Sequence, residues 1–397
     1  MIGEDTSGSS LADPARSPLT GEDLRGRLDD LQARIIHATV AAGVRRWFWG
    51  EGVCLLAAVR AEASLNHGPP PFVVDFARRY LATPPVVEHV NNLAPGAAVA
   101  ELHRRDPDAG FEVLLNTCVD WFEQAAGATR APNGALEHWP GGVWADTVYM
   151  AGEFLLRTGQ ALGRPDLVSA AVDQWIAHAE LLQHPKSGLV AHGTDRGQRI
   201  DSFWGRANAW FALAGADLSQ LDATVHPRVE EVRQRLAHQL VALADLQPAH
   251  GVWDVLVDSP PECQGILETS AAAGIGAAML RAGTALGSPA IVSAGDLAVR
   301  GALAYVDDGT LTRVSAGTVL QLVPFGYSVI RDDRIQPWGQ GLALEALSAW
   351  RDAFAPTHTL PAQVTSSPLT HSPLHTQRPG VSCLKSATAP IRARLTE

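Results

Sequence analysis

The chain has 397 residues, of which 46% are hydrophobic and 18% charged, and its formal net charge is −11. This length accommodates one large domain or two ordinary ones, and the acidic balance, with no basic run among aromatic residues, argues against a nucleic-acid partner. Residues 1–19 lack the apolar core of a secretion signal, and no segment approaches the roughly 20 consecutive apolar residues of a membrane span, so we expect a cytoplasmic protein without a membrane partner.

The two ends of the chain differ in composition from its middle. Residues 1–20 are rich in Ser, Gly, Asp and Pro, which predicts a disordered lead-in. Residues 356–397 carry Pro, Ser, Thr and His without apolar periodicity, which predicts a flexible low-complexity tail. Residues 21–355 form the predicted folded domain.

This folded domain is predicted to be almost entirely helical. Alanine and leucine dominate it, apolar residues recur at intervals of three and four, and Gly or Pro marks the breaks. Residues 310–330, rich in Val and Thr, are predicted to add a short hairpin. The predicted helices span residues 23–45, 50–62, 71–83, 96–106, 109–127, 145–160, 165–184, 205–220, 227–247, 268–285, 290–306 and 339–354.

Indole, small and polar side chains recur at the start of every second predicted helix. The helices that begin there are rich in Ala and Gly, as expected for an inner ring that packs on all sides. The pattern therefore predicts an all-α fold, an (α/α)6 toroid of about twelve helices in two concentric rings. Helix starts favour an anionic ligand, and flat indole faces suit a sugar ring. The six starts are Trp49-Gly50, Pro95-Gly96, Trp144-Ala145-Asp146, Trp204-Gly205-Arg206, Leu267-Glu268-Thr269-Ser270 and Pro337-Trp338-Gly339.

Asp146 is the strongest candidate for a catalytic group. It lies at the first turn of a predicted helix, two residues after Trp144. An aromatic neighbour is expected to exclude water from the carboxyl and raise its pKa, as a general acid requires near neutral pH. The alternative is an ordinary helix-start aspartate that stabilises the helix dipole.

Three further residues allow two interpretations each. Arg206 either clamps a ligand carboxylate with two parallel N–H donors or forms an ordinary ion pair. His192, in a loop after a helix, is either a positioned site residue or a surface residue. Glu268 is either a second carboxylate at the same pole or a residue that flanks a helix cap.

Cysteine spacing and short motifs limit the cofactors. Cys54, Cys118, Cys263 and Cys383 show no C-x-x-C or Cys/His ligand spacing, so neither a disulfide framework nor structural zinc is expected, and a reducing cytoplasm fits. The sequence holds no Gly-rich phosphate loop, H-E-x-x-H or G-x-S-x-G motif. We therefore expect no cofactor and no metal.

From about Trp47 to about Trp350, the chain resembles the unsaturated rhamnogalacturonyl hydrolases, glycoside hydrolase family 105, which are relatives of the family 88 unsaturated glucuronyl hydrolases. Several clusters in the same order carry the resemblance. They are Trp47-Phe48-Trp49 with Gly52, Val90-Asn91-Asn92-Leu93-Ala94-Pro95-Gly96, Trp144-Ala145-Asp146-Thr147 with Met150, Ser187-Gly188-Leu189 with His192, Trp204-Gly205-Arg206-Ala207-Asn208-Ala209-Trp210, Leu267-Glu268-Thr269-Ser270 and Pro337-Trp338-Gly339-Gln340-Gly341.

The resemblance implies an (α/α)6 catalytic domain and a metal-free hydrolase. Its expected substrate is an oligosaccharide with a 4,5-unsaturated uronic acid at the non-reducing end, as polysaccharide lyases leave it. The implied chemistry is hydration of the vinyl ether: Asp146 protonates C4 and then helps water add at C5. The resulting hemiketal opens and releases the aglycone.

The resemblance also implies roles for other residues, with one departure. Many members carry a second aspartate where this chain has Asn91, and an amide can hold a hydroxyl or a water but cannot accept a proton. Asp146 would then be more exclusively responsible for the chemistry. The implied substrate-binding residues are His192 and Arg206 near the uronate, Trp49 and Trp210 packed on the sugar, and Trp144 and Trp338 as walls of the pocket.

Other functions stay open on the sequence alone. An ordinary inverting glycosidase on the same barrel would use Asp146 and Glu268 as acid and base. A sugar epimerase would need a pair of facing histidines, of which only His192 is well placed. A non-catalytic carbohydrate-binding relative would keep the barrel and bind sugar without turnover. The identity of the aglycone sugar and the oligomeric state are not predicted.

Overall fold

The computed structural model describes residues 15–331 and 334–354. The predicted tail and residues 1–14 of the predicted lead-in lie outside these described residues. In the part of the lead-in that is described, the backbone N–H of Arg16 donates to the hydroxyl of Tyr305 at 2.7 Å, and the Arg16 guanidinium pairs with Asp307 at 2.9 Å.

Helices make up most of the described chain, and outer and inner helices alternate along it. The two halves α6 and α7 form one inner element, which is broken at Ala151. In chain order the helices are α1 (Gly21–Ala42), α2 (Trp49–Ala63), α3 (Pro71–Ala82), α4 (Ala94–Arg105), α5 (Glu112–Gln124), α6 (Asp146–Met150), α7 (Gly152–Leu162), α8 (Pro165–Leu182), α9 (Gly205–Ser219), α10 (Val229–Asp245), α11 (Thr269–Ala285), α12 (Pro289–Leu303), α13 (Pro324–Ser328) and α14 (Pro337–Phe354).

The inner helices form a closed ring. α2 contacts α4, α4 contacts α7, α6 and α7 contact α9, α9 contacts α11, α11 contacts α14, and α14 contacts α2 again. Glycines permit this close approach: a Cβ on Gly52 of α2 would lie 2.5 Å from the backbone N of Pro95 in α4. A Cβ on Gly341 of α14 would lie 2.9 Å from the Cα of Cys54 in α2. The predicted (α/α)6 toroid is confirmed.

The outer helices pack on this ring through one apolar stripe each. In α1, for example, Leu24, Leu28, Leu31 and Ile35 recur at helical spacing and are buried. The helix begins where the side chain of Thr20 accepts a hydrogen bond from the backbone N–H of Asp23, which satisfies one free donor of the first turn. None of the described helices is long and apolar enough to cross a membrane.

Two short hairpins differ from the prediction. β1 (Gly193–Asp195) pairs with β2 (Gln198–Ile200) directly after His192. β3 (Val306–Asp307) pairs with β4 (Thr310–Leu311), so the hairpin predicted within residues 310–330 is wrong in its position. The reason is the turn: Asp308 and Gly309 have φ values of 47° and 78°, as a two-residue hairpin turn requires.

Candidate active site

The starts of the inner helices meet at one pole of the ring, as the sequence predicted. Trp49, at the start of α2, stacks on Trp338, at the start of α14, with ring centroids 4.4 Å apart. Arg206, at the start of α9, pairs with Glu268, which precedes α11. Candidates that lie up to 289 positions apart in the sequence are thus brought to one place.

Asp146 and His192 form a close pair at this pole. Asp146 is the first residue of α6, and the backbone N–H of Ala145 donates to the carbonyl of His192 at 2.9 Å, which holds the two segments side by side. Nε2 of His192 lies 3.2 Å from Oδ2 of Asp146. The histidine side chain is completely buried, whereas the aspartate keeps 13% of its side-chain surface exposed.

The pKa of Asp146 lies below its ordinary value, so the raised pKa expected from the sequence is wrong for the unliganded protein. Burial has the largest effect on this pKa and does raise it. The hydrogen bond from His192 and the positive charge of Arg206 act in the opposite direction and outweigh burial. The free protein therefore holds Asp146 as a carboxylate at neutral pH.

The imidazole of His192 is fixed from its other side. Its Nδ1 is hydrogen-bonded to the hydroxyl of Tyr327, from α13, at 2.7 Å. The ring lies between Trp144 and Trp204, with centroids 5.4 Å and 4.4 Å away. Burial raises the pKa of Tyr327 well above its usual range, so the phenol keeps its proton. Sequence reasoning missed Tyr327, since no motif marks residues 324–328.

His138 is a second histidine that sequence reasoning missed. Its ring stacks on Trp144 at 4.6 Å with an interplanar angle of 9°. Its Nδ1 contacts the hydroxyl of Thr147 at 3.0 Å, and its Nε2 contacts Nδ2 of Asn91 at 3.4 Å. Burial lowers the pKa of His138 to about 3, so the ring is neutral. The only sequence signal was its place next to Trp139.

Asn91 is buried at the same pole, in a short 3₁₀ turn, Val90–Asn92, that precedes α4. The turn is held at its start, because the ring of His89 accepts a hydrogen bond from the Asn91 backbone N–H at 3.1 Å. The Asn91 amide therefore faces His138 as an uncharged group. Within residues 15–331 and 334–354, no group of three or more His, Cys, Asp and Glu side chains is placed to hold a metal ion.

Arg206 is completely buried, and both of its terminal nitrogens are occupied. Nη1 donates to Glu268 at 3.1 Å and to the carbonyl of Ser315 at 2.8 Å, and Nη2 donates to the carbonyl of Ala316 at 2.7 Å. The guanidinium lies 4.4 Å over the ring of Trp204. The ion-pair interpretation is therefore what the structure shows, and a two-nitrogen clamp on a ligand is not open in this arrangement.

Glu268 occupies the helix-cap position that was its alternative interpretation. Its carboxylate accepts a hydrogen bond from the backbone N–H of Ala271 at 2.9 Å and so caps α11. It also accepts from the hydroxyl of Ser270 at 2.8 Å and from the backbone N–H of Ser315 at 3.0 Å. With these acceptor positions filled, the carboxylate is not free to act as a second acid or base.

Several buried polar atoms at this pole have no hydrogen-bond partner among the described residues. Such atoms are uncommon in folded proteins, and each calls for a water or a ligand. Trp210 lies one turn below Arg206, is buried against Tyr149, and contributes its indole N–H to the set. Three of these atoms are nitrogens that suit a ligand rich in oxygen atoms: Nε1 of Trp204, Nε of Arg206 and Nε1 of Trp210. Beside them, Oδ2 of Asp146 and Nε2 of His192 contact each other at 3.2 Å.

Comparison with known proteins identifies the family. The sequence profile of Glycosyl Hydrolase Family 88 matches residues 32–351. The chain belongs to this family. As a family 88 member it is a glycoside hydrolase, and the prediction of an enzyme of this class is confirmed.

Relatives of this family 88 chain agree with that assignment. It is 32% identical over 320 residues to the unsaturated rhamnogalacturonyl hydrolase YesR of Bacillus subtilis (strain 168), an alignment that covers 76% of this chain and 89% of the relative. A possible family 105 member from Salmonella enterica serovar Paratyphi A has the same fold, with a TM-score of 0.74 at 22% identity, over 89% of this chain and 100% of the other. The unsaturated glucuronyl hydrolase of Bacillus sp. GL1 shares the fold at a TM-score of 0.63 and 16% identity, over 82% and 95%.

Proposed function

We propose that this family 88 hydrolase removes a 4,5-unsaturated uronic acid from the non-reducing end of oligosaccharides that polysaccharide lyases produce. The observation that carries the proposal is the pair of Asp146 and His192, 3.2 Å apart, beside buried nitrogens of Trp204 and Arg206 that have no hydrogen-bond partner among the described residues. The name of the relative YesR, an unsaturated rhamnogalacturonyl hydrolase, supports the same substrate class.

In the proposed reaction, Asp146 supplies the proton and then recovers it. Its carboxyl proton passes to C4 of the vinyl ether while the ring oxygen stabilises the positive charge that develops at C5. Water adds its oxygen to C5 and gives a proton back to the Asp146 carboxylate. The bond between C5 and the ring oxygen of the hemiketal then breaks, which gives a ketone at C5 and a hemiacetal at C1. The hemiacetal collapses to an aldehyde and releases the aglycone as an alcohol, so the net reaction consumes one water.

The low pKa of Asp146 in the free protein is compatible with this role when substrate binding raises that pKa. The carboxylate of the uronic acid places a second negative charge in the site and displaces water. Both effects favour the protonated form of Asp146. We propose that binding raises the pKa of Asp146 and that the proton is taken up together with the substrate.

The remaining candidates divide between the two sides of the sugar. We propose that the stacked pair of Trp49 and Trp338 packs on one apolar face and that Trp144, backed by His138, walls the other side. Nε of Arg206 and Nε2 of His192 are proposed to face the uronate. The other proposed roles are a hydroxyl or water contact for Asn91 and an indole N–H at the floor of the site for Trp210.

We also propose that the reaction takes place in the cytoplasm. Cys54, Cys118 and Cys263 are buried free thiols, which suits a reducing compartment, and Cys383 lies outside the described residues. The proposed partner is the oligosaccharide substrate.

Two other functions are less well supported. An ordinary inverting glycosidase would need Glu268 as a base, but the hydrogen bonds to Ala271, Ser315 and Arg206 occupy that carboxylate. A non-catalytic sugar-binding protein would not require the close pair of Asp146 and His192.

A panel of lyase-generated disaccharides tests the proposed function. We expect the absorbance of the unsaturated uronate to fall in step with release of the aglycone for at least one member. Saturated aryl glycosides serve as the control and are expected to be inert. Turnover of the aryl glycosides alone would favour the inverting glycosidase, and binding without turnover across the panel would favour the non-catalytic relative.

A further inference from the structure

Glu268 makes more hydrogen bonds than capping a helix requires. Beyond the cap to Ala271, its carboxylate accepts from the hydroxyl of Ser270, from both the backbone N–H and the hydroxyl of Ser315, and from the guanidinium of Arg206. Its side chain is completely buried. A carboxylate with this many donors joins three segments of the chain at one point.

The segment of residues 315–318, here named the strap, is the third of these segments. Arg206 donates to the carbonyls of Ser315 and Ala316, and the indole N–H of Trp338 donates to the Ser315 carbonyl at 3.2 Å. A Cβ on Gly317 would lie 3.9 Å from the ring of Trp49. The strap is therefore pinned beside the stacked tryptophan pair that the proposed sugar would contact.

We propose that Glu268 is a positioning residue of the active site, because it holds Nη1 of Arg206 away from the ligand and fixes the strap, whose Ala316 carbonyl holds Nη2, beside the tryptophan pair. Only Nε of Arg206 is left for a ligand. The inference rests on the proposed function for the identity of that ligand, but the lock itself is a property of the protein.

The lock also sets the charge of the site. The charges that act on Arg206 are those of Glu268, Asp146 and Arg331. Arg331 is in turn influenced by Glu268, Arg313 and Asp254. Burial lowers the pKa of Arg206, whereas the charges of Glu268 and Asp146 raise it. Without the negative charge of Glu268, the positive charge of Arg206 acts more strongly on Asp146 and lowers its pKa further. An anionic ligand is then attracted more strongly, and the protonated form of Asp146 is disfavoured.

The test is Glu268→Gln, which keeps the volume and an acceptor for the cap but removes the charge. For an unsaturated uronyl disaccharide, we expect KM to fall about threefold and kcat to fall about tenfold, since one pKa unit corresponds to a factor of ten. The decline of kcat with rising pH should begin about one unit lower, because the reaction needs protonated Asp146. A residue that only caps a helix would not lower KM.

Ser288→Ala is the matched control, because Ser288 caps α12 through the N–H of Ile291 at the far end of α11. It should lower the thermal midpoint without moving KM or the pH profile. Ser315→Ala keeps the charge pair and loosens the strap, because the hydroxyl's hydrogen bonds to Glu268 and from Arg206 are lost. It should therefore raise KM about threefold with an unshifted pH profile. If Glu268→Gln does not fold, the KM of Ser315→Ala tests the inference in its place.

An unchanged or higher KM together with an unshifted pH profile in Glu268→Gln overturns the inference. An inactive wild type on the whole panel overturns the proposed function instead. In that event the crystal structure of Glu268→Gln tests whether Glu268 holds Arg206 and the strap. Displaced Arg206 nitrogens and a displaced strap support the inference, and unchanged positions of both contradict it.

Discussion

Buried charged groups lie at two levels of the inner ring, and the two levels differ in how these charges are paired. At the pole, the Asp146 carboxylate contacts His192 at 3.2 Å, beside nitrogens of Trp204 and Arg206 that have no hydrogen-bond partner among the described residues. Further along the inner helices lies a cluster in which carboxylates and guanidinium groups pair with one another, here named the ionic layer. Its members are Arg60, Glu101, Glu153, Arg157, Asp217, Arg281 and Glu345.

The ionic layer is nearly self-sufficient. Arg60 contacts Glu153, Asp217 and Glu345 at once, and Glu345 also pairs with Arg281. Burial and the neighbouring charge of Asp217 raise the pKa of Glu153 well above its usual range. Four carboxyl groups thus share the three guanidinium groups of the layer, and Glu101 also pairs with Arg104 outside it.

The difference between the levels separates stability from function. Charges that pair within the protein need no ligand, and breaking such a pair costs folding free energy. Polar atoms left unpaired at the pole gain partners only when a ligand binds. Substitutions at the pole should therefore change turnover with little effect on folding, and substitutions in the ionic layer should do the reverse.

Asp146→Asn has the largest expected effect and acts at the pole. The amide cannot donate a proton to C4, so kcat on the unsaturated disaccharide should fall by about 10³-fold, within the range that general acid–base catalysis contributes. The thermal midpoint should stay within a few degrees of wild type, because α6 keeps its other contacts. Initial rates and circular dichroism measure the two quantities, and a rate near that of wild type removes Asp146 from the mechanism.

Glu345→Gln has the largest expected effect in the ionic layer. Glu345 is completely buried between Arg60, at 2.7 Å, and Arg281, so the change leaves two buried guanidinium groups short of one negative charge. The free energy of unfolding should fall by about 3–5 kcal/mol, with kcat per folded molecule unchanged. Urea unfolding measures the loss, and a loss below about 1 kcal/mol would show that the layer does not stabilise the ring.

Glu153→Gln is the matched control and the smallest effect. Because the pKa of Glu153 is raised, its neutral form is favoured, and an uncharged amide should therefore cost less than about 1 kcal/mol. Because the folded pKa of Glu153 lies above its ordinary value of 4.5, the folded state binds more protons, and wild-type stability declines as pH rises from 4.5 through the folded pKa. Unfolding at several pH values should show that this decline is weaker in the variant.

The sequence predicted what depends on local pattern and missed what depends on distant packing. Apolar spacing and the small and indole residues before alternate helices were enough for the toroid and for the place of Asp146. The lowered pKa of Asp146 was missed because His192 and Arg206 reach it from distant parts of the chain. The role of Tyr327 was missed because its partner, His192, lies 135 residues away.

The contacts that occupy the terminal nitrogens of Arg206 could likewise not be predicted from the sequence. Arg206 is 62 residues from Glu268 and 109 from Ser315, so neither contact leaves a periodic trace in the sequence. On the sequence alone, Arg206 and Glu268 each allow two interpretations. Because the two side chains bind each other, this single contact decides both.

The most direct test of the central claim, hydration of the vinyl ether with Asp146 as the acid, is a proton NMR time course on an unsaturated disaccharide. With wild type, we predict that the vinyl H4 signal disappears in step with the appearance of free aglycone, and that neither change occurs with Asp146→Asn. Release of the aglycone while the H4 signal persists would mean cleavage at the anomeric carbon and would contradict the account.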